Sequence, residues 1–147
     1  MSSILAQFDL VKLKYSRQDA RLEPFYSSVD YVNGLAESHP GFIWREVDDN
    51  ILALRELWGE EYLYTLSLWR DVETFKNFLY ETPHKEFMRR GREWFEPMKS
   101  RVVLWWVPEG HFPTIYEAHD RLKHLYERGP SYYAFDLKSS ALPITGY

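Results

Sequence analysis

The stretch from Trp69 to Pro108 constrains the fold more than any other, because it divides into a strand end, a broken helix and a second strand. Residues Glu61 to Trp69 put Tyr62, Tyr64, Leu66 and Leu68 on one side of an extended chain and Leu63, Thr65, Ser67 and Trp69 on the other. That period of two predicts a strand. Asp71 is placed to cap the helix that follows, whose apolar stripe is Val72, Phe75, Phe78 and Leu79. Pro83 lacks an amide proton and crowds the preceding turn, so it interrupts this helix. A second helical piece from His84 carries Phe87, Met88 and Trp94. Val102 to Val107 is apolar at every position, which predicts a strand that is central or covered on both faces.

The rest of the chain supplies the partners. Ile4 to Tyr15 alternates Ala6, Phe8 and Leu10 with Gln7, Asp9 and Val11, a strand with one buried face and one partly buried face. A helix from about Asp19, its N-cap, carries Leu22, Phe25, Val29, Val32 and Ala36, and His39-Pro40-Gly41 ends it. Phe42 to Val47 reads as a second strand, Asp48 to Asn50 as a turn, and Ile51 to Trp58 as a hairpin partner. Thr114 and Glu117 have capping-box spacing for a C-terminal helix with the stripe Ile115, Ala118, Leu122 and Leu125, stopped by Gly129-Pro130. The tail from Ser131 to Tyr147 is turn-rich, but Tyr132, Tyr133, Phe135 and Leu137 predict that it packs on the body or on a partner.

This order of strand, helix, strands, helix, strand predicts an α+β fold: a ferredoxin-like antiparallel sheet with helices on one face. Residues 1–147 form one domain, with 113–147 as a C-terminal helix and tail extension. The sheet's second face, carrying Thr65, Ser67 and Trp69 or else the tyrosines opposite, would be costly to leave in water. Pairing two copies face to face would cover it, so a homodimer is the expected assembly.

Composition narrows the function classes. A net charge of −4 argues against nucleic acid as a partner. Cysteine is absent, which excludes disulfides, thiolate nucleophiles and cysteine-ligated metals, and a cytoplasmic location is expected. No run approaches the roughly 20 apolar residues needed to span a bilayer, and the N-terminus does not read as a signal peptide. The aromatic share of 18% suits both a core and an apolar ligand cavity.

Several segments carry a resemblance: AQFDLVKLKY, GFIWR, LSLWRDVETFKNFLY, PHKEFMRRGREWFEPM, VVLWWVPEGHFPT and EAHDRLKHLYERGP. Together they resemble a bacterial family of unknown function (DUF3291) in the dimeric α+β barrel superfamily, near the antibiotic-biosynthesis monooxygenases. The resemblance implies a paired-sheet barrel with one ligand cavity per protomer between sheet and helices. It also implies a scaffold used elsewhere for cofactor-free oxygenation of electron-rich rings, haem binding or degradation, isomerisation and cyclisation. Fold alone does not choose among these.

The residues add candidates. His84, at the helix break, is a candidate general base or acid, or an axial haem ligand; the plain alternative is a solvent-facing helix-terminal histidine. Arg89 and Arg90 follow closely, and one of them could hold a carboxylate or enolate oxygen; a solvated basic face pairing with Glu86 or Glu93 is the commoner arrangement. Trp44, Trp69, Trp94, Trp105 and Trp106, with Tyr64 and Ser67, are candidates for a substrate pocket. Adjacent Trp105 and Trp106 must face opposite ways. No residues have a recognised metal-ligand spacing. The expected function is a small-molecule enzyme acting on a hydrophobic or aromatic substrate by monooxygenase-like or isomerase/cyclase-like chemistry, with no cofactor required. A haem protein with His84 as ligand, and a non-catalytic small-ligand-binding dimer, are the alternatives.

Overall fold

A computed structural model describes residues 2–48 and 50–140. Four strands form one antiparallel sheet in the order β2-β3-β1-β4: β1 (Ser3–Lys12), β2 (Phe42–Arg45), β3 (Tyr62–Trp69) and β4 (Val102–Pro108). Helix α1 (Glu23–Glu37) joins β1 to β2, and α3 (Val72–Glu81) with α4 (His84–Arg90) joins β3 to β4. This is the expected ferredoxin-like arrangement. Asp71 caps α3 through a reciprocal capping box with Thr74, and the helix breaks at Thr82-Pro83 where the sequence indicated. Gly41 lies against that cap so closely that a Cβ there would sit 2.2 Å from the Thr74 side chain.

Some elements differ from expectation. Ile51 to Trp58 is not a strand: Ile51–Leu57 is a helix, α2. Asn50 caps it through Ala53 N–H, and Ala53 with Leu54 buries one side, so capping and a helical stripe outweigh the apolar run. Asp19 caps a short 3₁₀ turn (Ala20–Leu22), and α1 proper begins at Glu23. Strand β4 is covered on both faces as expected but lies at a sheet edge, where Leu104 exchanges backbone hydrogen bonds with Phe135 of the tail. Ala134 and Phe135 are buried, so the tail does pack on the body. The expected turn includes Asp49 and the expected tail includes 141–147, which lie outside the described residues.

The C-terminal helix α5 (Ile115–Arg128) changes the account of the second sheet face. Thr114 accepts from Glu117 N–H, but the Glu117 carboxylate does not close a capping box; it accepts from Trp105 Nε1 and pairs with His111. Ile115, Ala118, Leu122 and Leu125 of α5, with Ala53 and Leu54 of α2, enter one buried cluster with Phe8, Leu66, Leu68 and Trp105 of the sheet. The face that was expected to need a second copy is therefore covered by the chain's own helices.

Candidate functional site

The opposite face carries α1, α3 and α4, and it is not packed throughout. Its side chains follow from the strand register, Leu5↔Trp69, Gln7↔Ser67, Asp9↔Thr65 and Val11↔Leu63. Four polar residues thus form a patch in mid-sheet, with apolar pairs at both ends. One end belongs to a buried cluster with Trp69, Phe75, Phe78 and Ala36. At the other, Leu63 packs on Leu13, Leu22 and Trp94. Helix α1 runs from the second cluster to the first, and a cavity of about 510 Å³ lies beneath it. That volume is ordinary for a small-molecule site.

The patch is ordered. Gln7, only 3% exposed, donates from Nε2 to Ser67 Oγ at 2.7 Å and to Thr65 Oγ1 at 3.2 Å. Trp69 Nε1 donates to the same Ser67 oxygen at 2.9 Å. Arg101, just before β4, makes a two-pronged ion pair with Asp9, at 3.2 and 3.3 Å. The Asp9 carboxylate holds the guanidinium in its charged form.

His84 lines the cavity from the first turn of α4, with its ring 4.7 Å from that of Phe78. Its Nδ1 is shielded from solvent without a hydrogen bond of normal geometry among the described residues. Burial pushes the imidazole below the ordinary histidine value of 6.5; the Asp9 carboxylate and the nearby Leu79 carbonyl oppose that, and Arg101 adds to it. A neutral ring beside a half-polar cavity can accept a proton.

The other candidates divide. Ser67, Trp69, Trp94 and Tyr64 line the cavity. Tyr64 does so from the β2–α2 side, where its hydroxyl bonds the Glu46 carboxylate. Trp44 lies on the α5 side against Phe112, and Trp105 is sealed under α5, so neither lines the cavity. Trp106 faces the other way, as the alternation requires, but packs beside Phe135 near the sheet edge. Arg89 and Arg90 point away: they pair with Glu86 and Glu93 at 3.1 and 3.0 Å on the exposed side of α4. The helical turn between them and His84 turns both out of the cavity, and the arginine that lines the cavity with His84 and acts on it electrostatically is Arg101. Gln7, Asp9 and Arg101 were not singled out from sequence. The signal for Gln7 and Asp9 was polar side chains in the middle of a strand whose same-face neighbours, Leu5 and Val11, are apolar; Arg101, outside the strands, gave no such signal. Among the described residues, no group of three or more His, Asp or Glu comes together as a metal site, and no helix is long and apolar enough to cross a membrane.

Solved structures share this fold at low identity. NE2512, a protein of unknown function from Nitrosomonas europaea, is 11% identical with a TM-score of 0.53, covering 76% of this chain and 96% of its own. SnoaB, a cofactor-independent oxygenase from Streptomyces nogalater, is 11% identical with a TM-score of 0.52, covering 77% and 100%. PA3566 from Pseudomonas aeruginosa is 13% identical with a TM-score of 0.50, covering 78% and 97%. No curated protein sequence matches. The model of the family described as "Domain of unknown function (DUF3291)" matches residues 4–145. The chain belongs to that family.

Proposed function

We propose that this protein is a small-molecule enzyme whose cavity takes a flat, largely apolar substrate with an acidic C–H or hydroxyl, and that His84 removes that proton. The observation that carries this reading is His84 itself: a cavity-lining imidazole, shielded, held neutral by burial and backed by the Asp9–Arg101 pair. The resulting anion is electron-rich, and in an oxygenase-like reaction it passes electrons to dioxygen. One oxygen atom stays on the substrate carbon as a new carbonyl and the other leaves as water. The fold shared with a cofactor-independent oxygenase supports this direction. A role for the aromatics in packing alone is disfavoured by the polar groups of Gln7, Ser67, Asp9 and His84 around one cavity. Among the described residues nothing at the site singles out haem, and the enzyme reading uses His84 as a base rather than as a ligand.

The test uses anthrone, a three-ring ketone with an acidic ring methylene, as probe. The purified protein should consume dioxygen with anthrone and release the quinone, and His84→Ala should lose about a hundredfold in rate. Equal rates in the two proteins would remove His84 from the mechanism.

A further inference from the structure

We infer that Gln7 selects the ligand, by hydrogen-bonding a hydroxyl or comparable oxygen substituent at the middle of an elongated molecule whose two ends are apolar. This rests on the cavity being the ligand site, as proposed above, but not on any chemistry there.

The cavity floor has a fixed polarity pattern. Along β1 the cavity-face residues run Leu5, Gln7, Asp9, Val11, and along β3, in register, Trp69, Ser67, Thr65, Leu63. The apolar ends belong to two separate buried clusters, and the polar pairs lie between them. Along the sheet floor, a molecule lying under α1 therefore meets apolar side chains at each end and hydrogen-bonding ones at the centre.

Within that centre Gln7 and its cross-strand partner Ser67 are the buried members. The two amide protons of Gln7 are used on Thr65 and Ser67, which leaves the carbonyl Oε1 as the remaining polar group of the amide. Ser67 Oγ accepts from both Gln7 and Trp69, so its own proton remains to be donated. A carbonyl and a hydroxyl proton on two cross-strand partners suit one ligand hydroxyl, which donates to the first and accepts from the second. Packing does not explain the choice of residue. On the opposite face the same strand fills its middle with Ala6, Phe8 and Leu10, and a leucine in place of Gln7 would spare a buried amide the cost of desolvation.

The experiment measures binding by quenching of tryptophan fluorescence, since Trp69 and Trp94 stand in the cavity wall. Three probes share one ring system: fluorene, fluorene with a hydroxyl on its central ring, and fluorene with a hydroxyl on an end ring. The wild-type protein should bind the central-ring alcohol about tenfold more tightly than the other two, as expected for a paired buried polar group. Gln7→Leu should abolish that preference. If Gln7→Leu does not fold, Ser67→Ala decides: loss of preference supports the inference and retention overturns it. Equal binding of all three probes by the wild type, or a preference that survives Gln7→Leu, also overturns it. The preference should persist in His84→Ala, so failure of the proton transfer and failure of this inference are separable.

Discussion

The two faces of the sheet are built from the same four strands and do opposite things. Under α5 and α2, strands β1, β3 and β4 contribute Ala6, Phe8, Leu10, Leu66, Leu68, Val103 and Trp105 to one continuous core. Under α1, α3 and α4, the same strands contribute a core split in two, with a polar patch and a cavity between the halves. Close packing without voids is the usual state of an interior. The α5 face gathers its buried apolar residues into one cluster and supplies stability; the α1 face is interrupted in one place, where a buried glutamine, an ion pair and a shielded histidine line the cavity.

If this division is right, substitutions on the two faces separate stability from function. The largest stability effect belongs to the packed face: Leu122→Ala should cost about 2 to 5 kcal/mol in denaturant unfolding, because it leaves a cavity in a buried apolar core. Gln7→Leu on the other face should change stability by about 1 kcal/mol or less, since an apolar group replaces a buried polar one whose partner Ser67 keeps its bond to Trp69. Comparable losses at the two positions would erase the distinction.

Acidity offers a subtler separation. The folded protein holds the His84 pKa below 6.5, while in the unfolded chain the ring titrates at its ordinary value. Well above pH 6.5 both states carry a neutral ring and the term vanishes. As pH falls through 6.5 the unfolded state takes up a proton first, so this contribution lowers stability with acidification until the folded ring also protonates. His84→Gln should remove that part of the acid sensitivity, measured as the change in unfolding free energy between neutral and mildly acid buffer. The acid limb of turnover should likewise fall below the ordinary histidine range. The smallest effect is expected at Arg89 and Arg90. Their exposed pairs with Glu86 and Glu93 should contribute little to stability, and Arg89→Ala or Arg90→Ala should leave anthrone turnover unchanged.

Much of the architecture was legible in the sequence because it depends on local chemistry. The alternation in β1 and β3, the Asp71 cap, the Pro83 break and the Gly129 stop each act within a few residues. Helix α2 was misread because a short apolar run fits either period, and the Asn50 cap that decided it gives a weak signal. The site was half legible. His84 stood out as a histidine at a break, but which arginine reaches it depends on long-range geometry: Arg101 is distant in sequence and arrives through β4 pairing with β1. The expectation of helices on one face left the other sheet face bare. That α5 folds back over it could not be read from a helix stripe alone, since the stripe says that something is covered and not what.

Gly91 gives the most direct test of the claim that the α1 face is the working one. It lines the cavity in a helical conformation, and a side chain there would project toward Phe95 and Arg101 with only ordinary contacts at its Cβ. Gly91→Leu should therefore fold with an unchanged unfolding midpoint but obstruct the cavity. The measurement is anthrone binding by tryptophan quenching, with the midpoint followed in parallel. Loss of binding at unchanged stability is the expected result; undiminished binding in the folded variant would contradict the assignment of the cavity as the functional site.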